Sequence, residues 1–145
     1  MPDTGLEAKF SMPYTIARAV IDDAIGFDTF TDALVRDERA RNLTKRVRMY
    51  THDGIERSWK MGSRPVHVSI KFRDGSVRER QVDISKGNPE VPMTDAELGV
   101  KFRDCARACL EPAETTVAIE GLKNVEAFGK VSELTGCLRG SAVPA

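Results

Sequence analysis

The chain has 145 residues, 41% of them hydrophobic and 30% charged, which is the make-up of a globular protein with a core rather than of a disordered tail. Lys plus Arg and Asp plus Glu number 22 each, so no net charge draws the chain toward nucleic acid or an anionic membrane. No apolar run approaches the ~20 residues that span a bilayer, and no cationic-then-apolar leader opens the chain. Three cysteines, Cys105, Cys109 and Cys137, fit a reducing compartment and buried thiols, so the cytoplasm is the expected location.

The stretch from Glu7 to Ala19 reads as helical, with the helix proper starting at Ser11. The Ser11 hydroxyl can cap a free backbone N–H, and Pro13 falls in a first turn, where its missing N–H is no loss. Ile16, Ala17, Val20, Ile21 and Ala24 recur at three-to-four spacing on one face, and Gly26 is the expected stop because glycine enters the left-handed region cheaply. A short helix is expected from Thr31, carrying Ala33 and Leu34, and another from Asp37 into Lys45. Val47 and Met49 predict a strand over Arg46 to Thr51, and Gly62, Ser63, Arg64 and Pro65 mark a loop. Val66, Val68, Ile70 and Phe72 then alternate with His67, Ser69 and Lys71, the pattern of a strand with one buried face. Asp74-Gly75 favours a tight primed hairpin turn, with a return strand from Ser76 to Ile84.

Lys86-Gly87-Asn88-Pro89-Glu90-Val91-Pro92 is a turn-rich connector. Thr94 with Glu97 forms a capping box, and the helix it starts carries Leu98, Phe102, Cys105, Ala106 and Cys109 on one stripe. Pro112 breaks that helix or opens the next. Val117, Ala118, Leu122 and Val125 predict a further helix, and Phe128, Val131 and Leu134 a last one. The expected fold is α+β: about three antiparallel strands, with a hairpin at Asp74-Gly75, packed by flanking helices. It is read as one domain over residues 1–136, with a loose tail over 137–145.

Lys9, Ser11 and Tyr14 gather at the entrance of the first long helix, where free N–H groups and the positive dipole end favour a carboxylate. Lys9 can add charge, while Ser11 and Tyr14 can add hydrogen bonds. Taken alone, the same residues also suit a surface lysine, a capping serine and a tyrosine half in the core, which is the commoner arrangement. His67 falls on the polar side of its strand and His52 in a turn before Asp53-Gly54; neither has a sequence neighbour that marks a titrating catalyst. Cys105 and Cys109 lie one turn apart without the two further ligands of a tetrahedral metal site, so they read as small hydrophobes. There is no Gly-x-Ser-x-Gly elbow, and Lys86-Gly87-Asn88 lacks the spacing of a phosphate loop. The basic run Arg36, Arg39, Arg41, Lys45, Arg46 and Arg48 is interrupted by Asp37 and Glu38, which suits a solvated helix face better than a nucleic-acid site.

Several landmarks in order resemble the C-terminal part of the MmgE/PrpD family, over Thr4 to about Leu134. They are Glu7-Ala8-Lys9-Phe10-Ser11 with Tyr14, the aliphatic helix ending near Asp22, Phe30-Thr31, Lys45-Arg46-Val47, the strand with Asp74-Gly75, Lys86-Gly87-Asn88-Pro89, Pro92 with Leu98, and Lys101-Phe102-Arg103. That family includes 2-methylcitrate dehydratase, cis-aconitate decarboxylase and iminodisuccinate epimerase, all much longer than this chain. The resemblance implies the smaller α+β domain that closes over a cleft in a large helical one. It also implies proton transfer beside a carboxylate, with no metal or organic cofactor. The histidines, lysines and aspartates credited with that chemistry lie outside the matching positions, so no catalytic residue carries over. Lys9, Ser11 and Tyr14 are the expected substrate-facing residues.

The expected function is thus a lid-like domain of a lyase or isomerase for small di- or tricarboxylates. Acid–base catalysis needs donor and acceptor around one substrate, so the chain is expected to be inactive alone. Its expected partner is a helical MmgE/PrpD-type domain or chain, or a second copy of itself. The competing reading is a stand-alone small-carboxylate-binding or interaction module. A third builds a site across a homodimer from Lys9, Tyr14 and His67.

Overall fold

Short-range capping decides where the helices begin. In the computed structural model, which describes residues 1–57 and 65–140, Thr4 caps helix α1 (Gly5–Lys9) in a capping box with Glu7. Ser11 caps α2 (Met12–Asp22), with Pro13 in its first turn. The helical stretch expected from Glu7 is therefore two helices, parted because Ser11 takes extended backbone (φ −100°, ψ 97°) to cap the second. Helix α2 also stops before Gly26. Asp23 takes the left-handed conformation (φ 59°) and donates its N–H to the Ala19 carbonyl, a role a short polar side chain tolerates. Gly26 is extended and precedes a 3₁₀ turn, Phe27–Phe30. Thr31 and Asp37 cap α3 (Asp32–Val35) and α4 (Glu38–Thr44), where the sequence placed them.

The chain divides into two compact units, Met1–Arg46 with Thr94–Ala145, and Val47–Met93. In the first, Ala8, Tyr14, Val35 and Ala40 form a buried cluster, with Ile21 and Phe30 packed against it. Gly5 shows how closely these helices approach: its N–H donates to Asp32 Oδ1 at 2.7 Å, and a Cβ there would run into the Phe30 carbonyl. Arg18 lies 5% exposed between α2 and α4, paired with Asp22 and, at 3.1 Å, with Asp37. Asp37 uses its other oxygen to cap the Arg39 N–H at 3.1 Å, so one carboxylate both starts α4 and anchors it to α2.

The rest of the first unit is helical. Thr94 and Glu97 make the expected capping box on α6 (Asp95–Ala106), and Pro112 opens α7 (Pro112–Lys123). A 3₁₀ turn, Val125–Ala127, leads to α8 (Val131–Gly136). Gly99, Leu110, Thr115, Ala118 and Ile119 are buried here. Asp104 of α6 accepts the Phe27 N–H at 3.2 Å, and Arg107 bridges Asp104 and Asp28. The expected buried thiols are a correction: Cys105 and Cys109 are exposed free thiols, Cys137 is half-buried, and Leu98 is 49% exposed. Helix α6 buries Gly99 instead and half-buries Phe102 and Ala106, so most of the apolar stripe faces outward.

The second unit holds α5 (Asp53–Arg57) and an antiparallel pair, β1 (Val66–Lys71) and β2 (Val77–Val82), with Val66 opposite Val82 and Lys71 opposite Val77. The fold is α+β, with a sheet of two strands among the described residues rather than about three. Arg46 to Thr51 forms no strand; two alternating apolar residues specify no pairing, and Met49 and Tyr50 are 72% and 77% exposed. The hairpin turn also differs from the expected one. A three-residue loop, Arg73 to Gly75, spans it, with only Gly75 left-handed (φ 88°), whereas a primed turn would need Asp74 there too. Asp74 instead accepts from the Ser76 N–H and hydroxyl, which holds its carboxyl below the usual range. The expected Gly62-Ser63-Arg64 loop marker and residues 141–145 lie outside the described residues. Among the described residues no helix is long and apolar enough to cross a membrane.

Gly5→Ala must push α1 off the Phe30 carbonyl or break the Asp32 contact. The expected loss is about 1–3 kcal/mol in urea unfolding, with the α+β circular dichroism spectrum retained.

Candidate functional site

The entrance of α2 is assembled from two capped helix ends. Lys9 is the last residue of α1 and is exposed. The Phe10 and Ser11 N–H groups donate to the Glu7 and Ala8 carbonyls, each at 3.1 Å, so the link between the helices is ordered. Ser11 is half-buried, and its Oγ accepts the Tyr14 N–H at 3.4 Å. Its carbonyl also accepts the Thr15 hydroxyl at 3.1 Å.

Tyr14 points the other way. It is 1% exposed, and its hydroxyl donates to the Thr29 carbonyl at 2.7 Å. Its ring lies 6.3 Å from that of Phe30, tilted at 48°. Burial pushes the phenol above its ordinary pKa, with Arg18 opposing the rise. The structure therefore leaves Lys9 exposed at the end of α1, sets Ser11 half-buried as the cap of α2, and buries Tyr14 as a brace between α2 and the 3₁₀ turn.

Other groups fall elsewhere. In the second unit, His67 is exposed with Nε2 3.9 Å from Glu79, and His52 Nδ1 accepts the Gly54 N–H at 3.2 Å. No three His, Cys, Asp or Glu side chains among the described residues converge in a way that could hold a metal ion. Part of the basic run is tied down locally: Arg36 lies 4.0 Å from Asp32, and Arg41 lies 3.4 Å from Asp3.

Sequence reasoning missed the polar ties around this edge. The Arg18–Asp22 pair was open to reading from its one-turn spacing. The bonds from Gly5 to Asp32, Arg18 to Asp37 and Phe27 to Asp104 join residues distant in sequence, and no local signal marks them.

Residues 1–126 match the family model of the MmgE/PrpD C-terminal domain. The chain belongs to the MmgE/PrpD family. It is 25% identical over 144 residues to the cis-aconitate decarboxylase of Mus musculus, which covers 98% of this chain and 29% of that protein. It is 24% identical over 139 residues to the cis-aconitate decarboxylase of Homo sapiens, covering 95% of this chain and 28% of that protein. This MmgE/PrpD chain thus spans less than a third of the length of the curated relatives it matches.

Tyr14→Phe strands a buried carbonyl, so a loss of about 1–2 kcal/mol is expected in urea unfolding near neutral pH. The folded phenol ionises later than the unfolded one, so stability present below the unfolded value of about 10 falls as pH rises above it. The fall levels off past the raised folded value. Melts at about pH 8 and about pH 11 should show a smaller alkaline loss in Tyr14→Phe than in the parent chain.

Proposed function

We propose that this chain is the lid-like C-terminal part of an MmgE/PrpD-type lyase or isomerase for small di- or tricarboxylates, inactive until a helical portion joins it. The observation that carries this reading is the match itself: nearly the whole chain aligns to cis-aconitate decarboxylases of which it makes up less than a third. The named substrate of those relatives is a tricarboxylate, and the α2 entrance suits an anion. It offers the Lys9 ammonium, the Ser11 hydroxyl and the positive end of an 11-residue helix. Tyr14 serves by holding that entrance in place.

Charge and hydrogen bonds can grip a carboxylate, but moving a proton on the adjoining carbon takes an acid and a base in reach of it. In this reading the helical portion brings those groups, and the chain contributes binding and the exclusion of water. The reading calls for proton transfer without a metal or organic cofactor.

The test uses the purified chain and the chain co-expressed with the product of the coding region immediately upstream in its own genome. Consumption of cis-aconitate and of 2-methylcitrate is followed by proton NMR. The chain alone should show no turnover, and the pair should show it. In the pair, Lys9→Ala should raise KM about tenfold, equivalent to losing ~1.4 kcal/mol of anion binding. Turnover by the chain alone would overturn the proposal.

A further inference from the structure

Cys105 and Cys109 are exposed free thiols, and neither belongs to the α2 entrance. They stand four residues apart along one continuous coil. Helix α6 ends at Ala106, but the Leu110 N–H still reaches the Ala106 carbonyl at 2.8 Å, so the turn that carries Cys109 keeps helical closure. Residues four apart on such a coil share a face, with Cβ atoms about 5–6 Å apart. The two sulfurs therefore leave the same side of α6.

The backbone under the pair is held in place. The Cys109 N–H donates to the Ala106 carbonyl at 2.8 Å, and Leu110 beside it is buried. The later chain also packs closely here, since a Cβ on Gly140 would run into the Cys109 carbonyl. Two donors on an ordered backbone lose little freedom when one ligand joins them. Cys137 differs from both: it is half-buried, and its thiol donates to the Glu133 carbonyl at 3.6 Å.

Spacing selects what the pair can take. A disulfide needs Cβ atoms about 3.5–4.5 Å apart, so a direct bond would pull this turn tighter than helical closure allows. A single atom bonded to both sulfurs fills the gap instead. Zinc asks for four ligands, and no three His, Cys, Asp or Glu among the described residues converge to hold a metal. A soft monovalent ion is satisfied by two thiolates, and thiolate sulfur is a donor that selects copper(I). We infer that Cys105 and Cys109 form a two-thiolate site for one copper(I) ion. Binding releases the two thiol protons and leaves one net negative charge on the site. Lys101, exposed one turn earlier on the same face of α6, offsets that charge.

The test titrates the reduced chain with copper(I) under anaerobic conditions, against a chromogenic copper(I) chelator as competitor. The parent should take one ion per chain. A second tethered contact adds about 10²–10⁴-fold to binding, so Cys105→Ser and Cys109→Ser should each bind at least about a hundredfold more weakly. Both positions are exposed, so these variants should keep the parent's circular dichroism spectrum and melting temperature without copper. Cys137→Ser should bind like the parent. Parent-like binding by Cys105→Ser or by Cys109→Ser overturns the inference, as does a parent that takes no copper. An equal loss in Cys137→Ser overturns it as well. So do copper-dependent dimers in sedimentation, because the ion would then join thiols of two chains.

Discussion

A phenol sealed in a hydrophobic cluster must find an acceptor, and Tyr14 finds the Thr29 carbonyl. That bond ties the first turn of α2 to the 3₁₀ turn, while the same ring packs among residues of α1, α3 and α4. Sliding or rotating α2 would leave both the hydroxyl and the carbonyl unpaired in the core. The Gly5–Asp32 and Arg18–Asp37 bonds work in the same sense from either side. The α2 entrance is therefore a set of positions held from below, and the exposed Lys9 and half-buried Ser11 inherit that order.

For the lid-like domain we propose, this division of labour makes physical sense. Recognition groups placed on an already ordered edge need no further ordering when the ligand arrives, so less of the binding energy is spent on conformational entropy. Leu6 of α1 and Phe10, its C-cap, are left exposed, at 68% and 85%. Within this chain they have little to do, because the space beneath α1 admits only Gly5 and Ala8.

Much of the architecture was legible from residues acting over one helical turn. The caps at Ser11 and Thr94 fall where the sequence placed them, and the helices expected from about Thr31 and Asp37 start there, because a side-chain oxygen two or three residues from an unpaired N–H needs no tertiary help. The ordered MmgE/PrpD landmarks were equally readable. What escaped depended on surroundings. Leu98, Cys105 and Cys109 make a sound apolar stripe on paper, yet helix periodicity says which residues share a face and not what covers it. The Asp74-Gly75 dipeptide marked the hairpin but not its loop length, since Ser76 draws the Asp74 carboxylate into a wider turn. At the candidate site, Lys9 and Ser11 were readable as neighbours of a helix start, whereas the inward direction of Tyr14 depends on Thr29, fifteen residues away.

The ribbon of β1 and β2 carries one further implication. With two strands among the described residues, each has one edge whose amides and carbonyls meet no third strand. Val66 and Val82, facing each other across it, remain 37% and 41% exposed, so little apolar area is removed from water by their pairing. Such a ribbon opens at small free-energy expense. Its backbone deuterons would then be lost to solvent long before those around Tyr14, and the molecule would breathe at the hairpin while its helical cluster stayed shut.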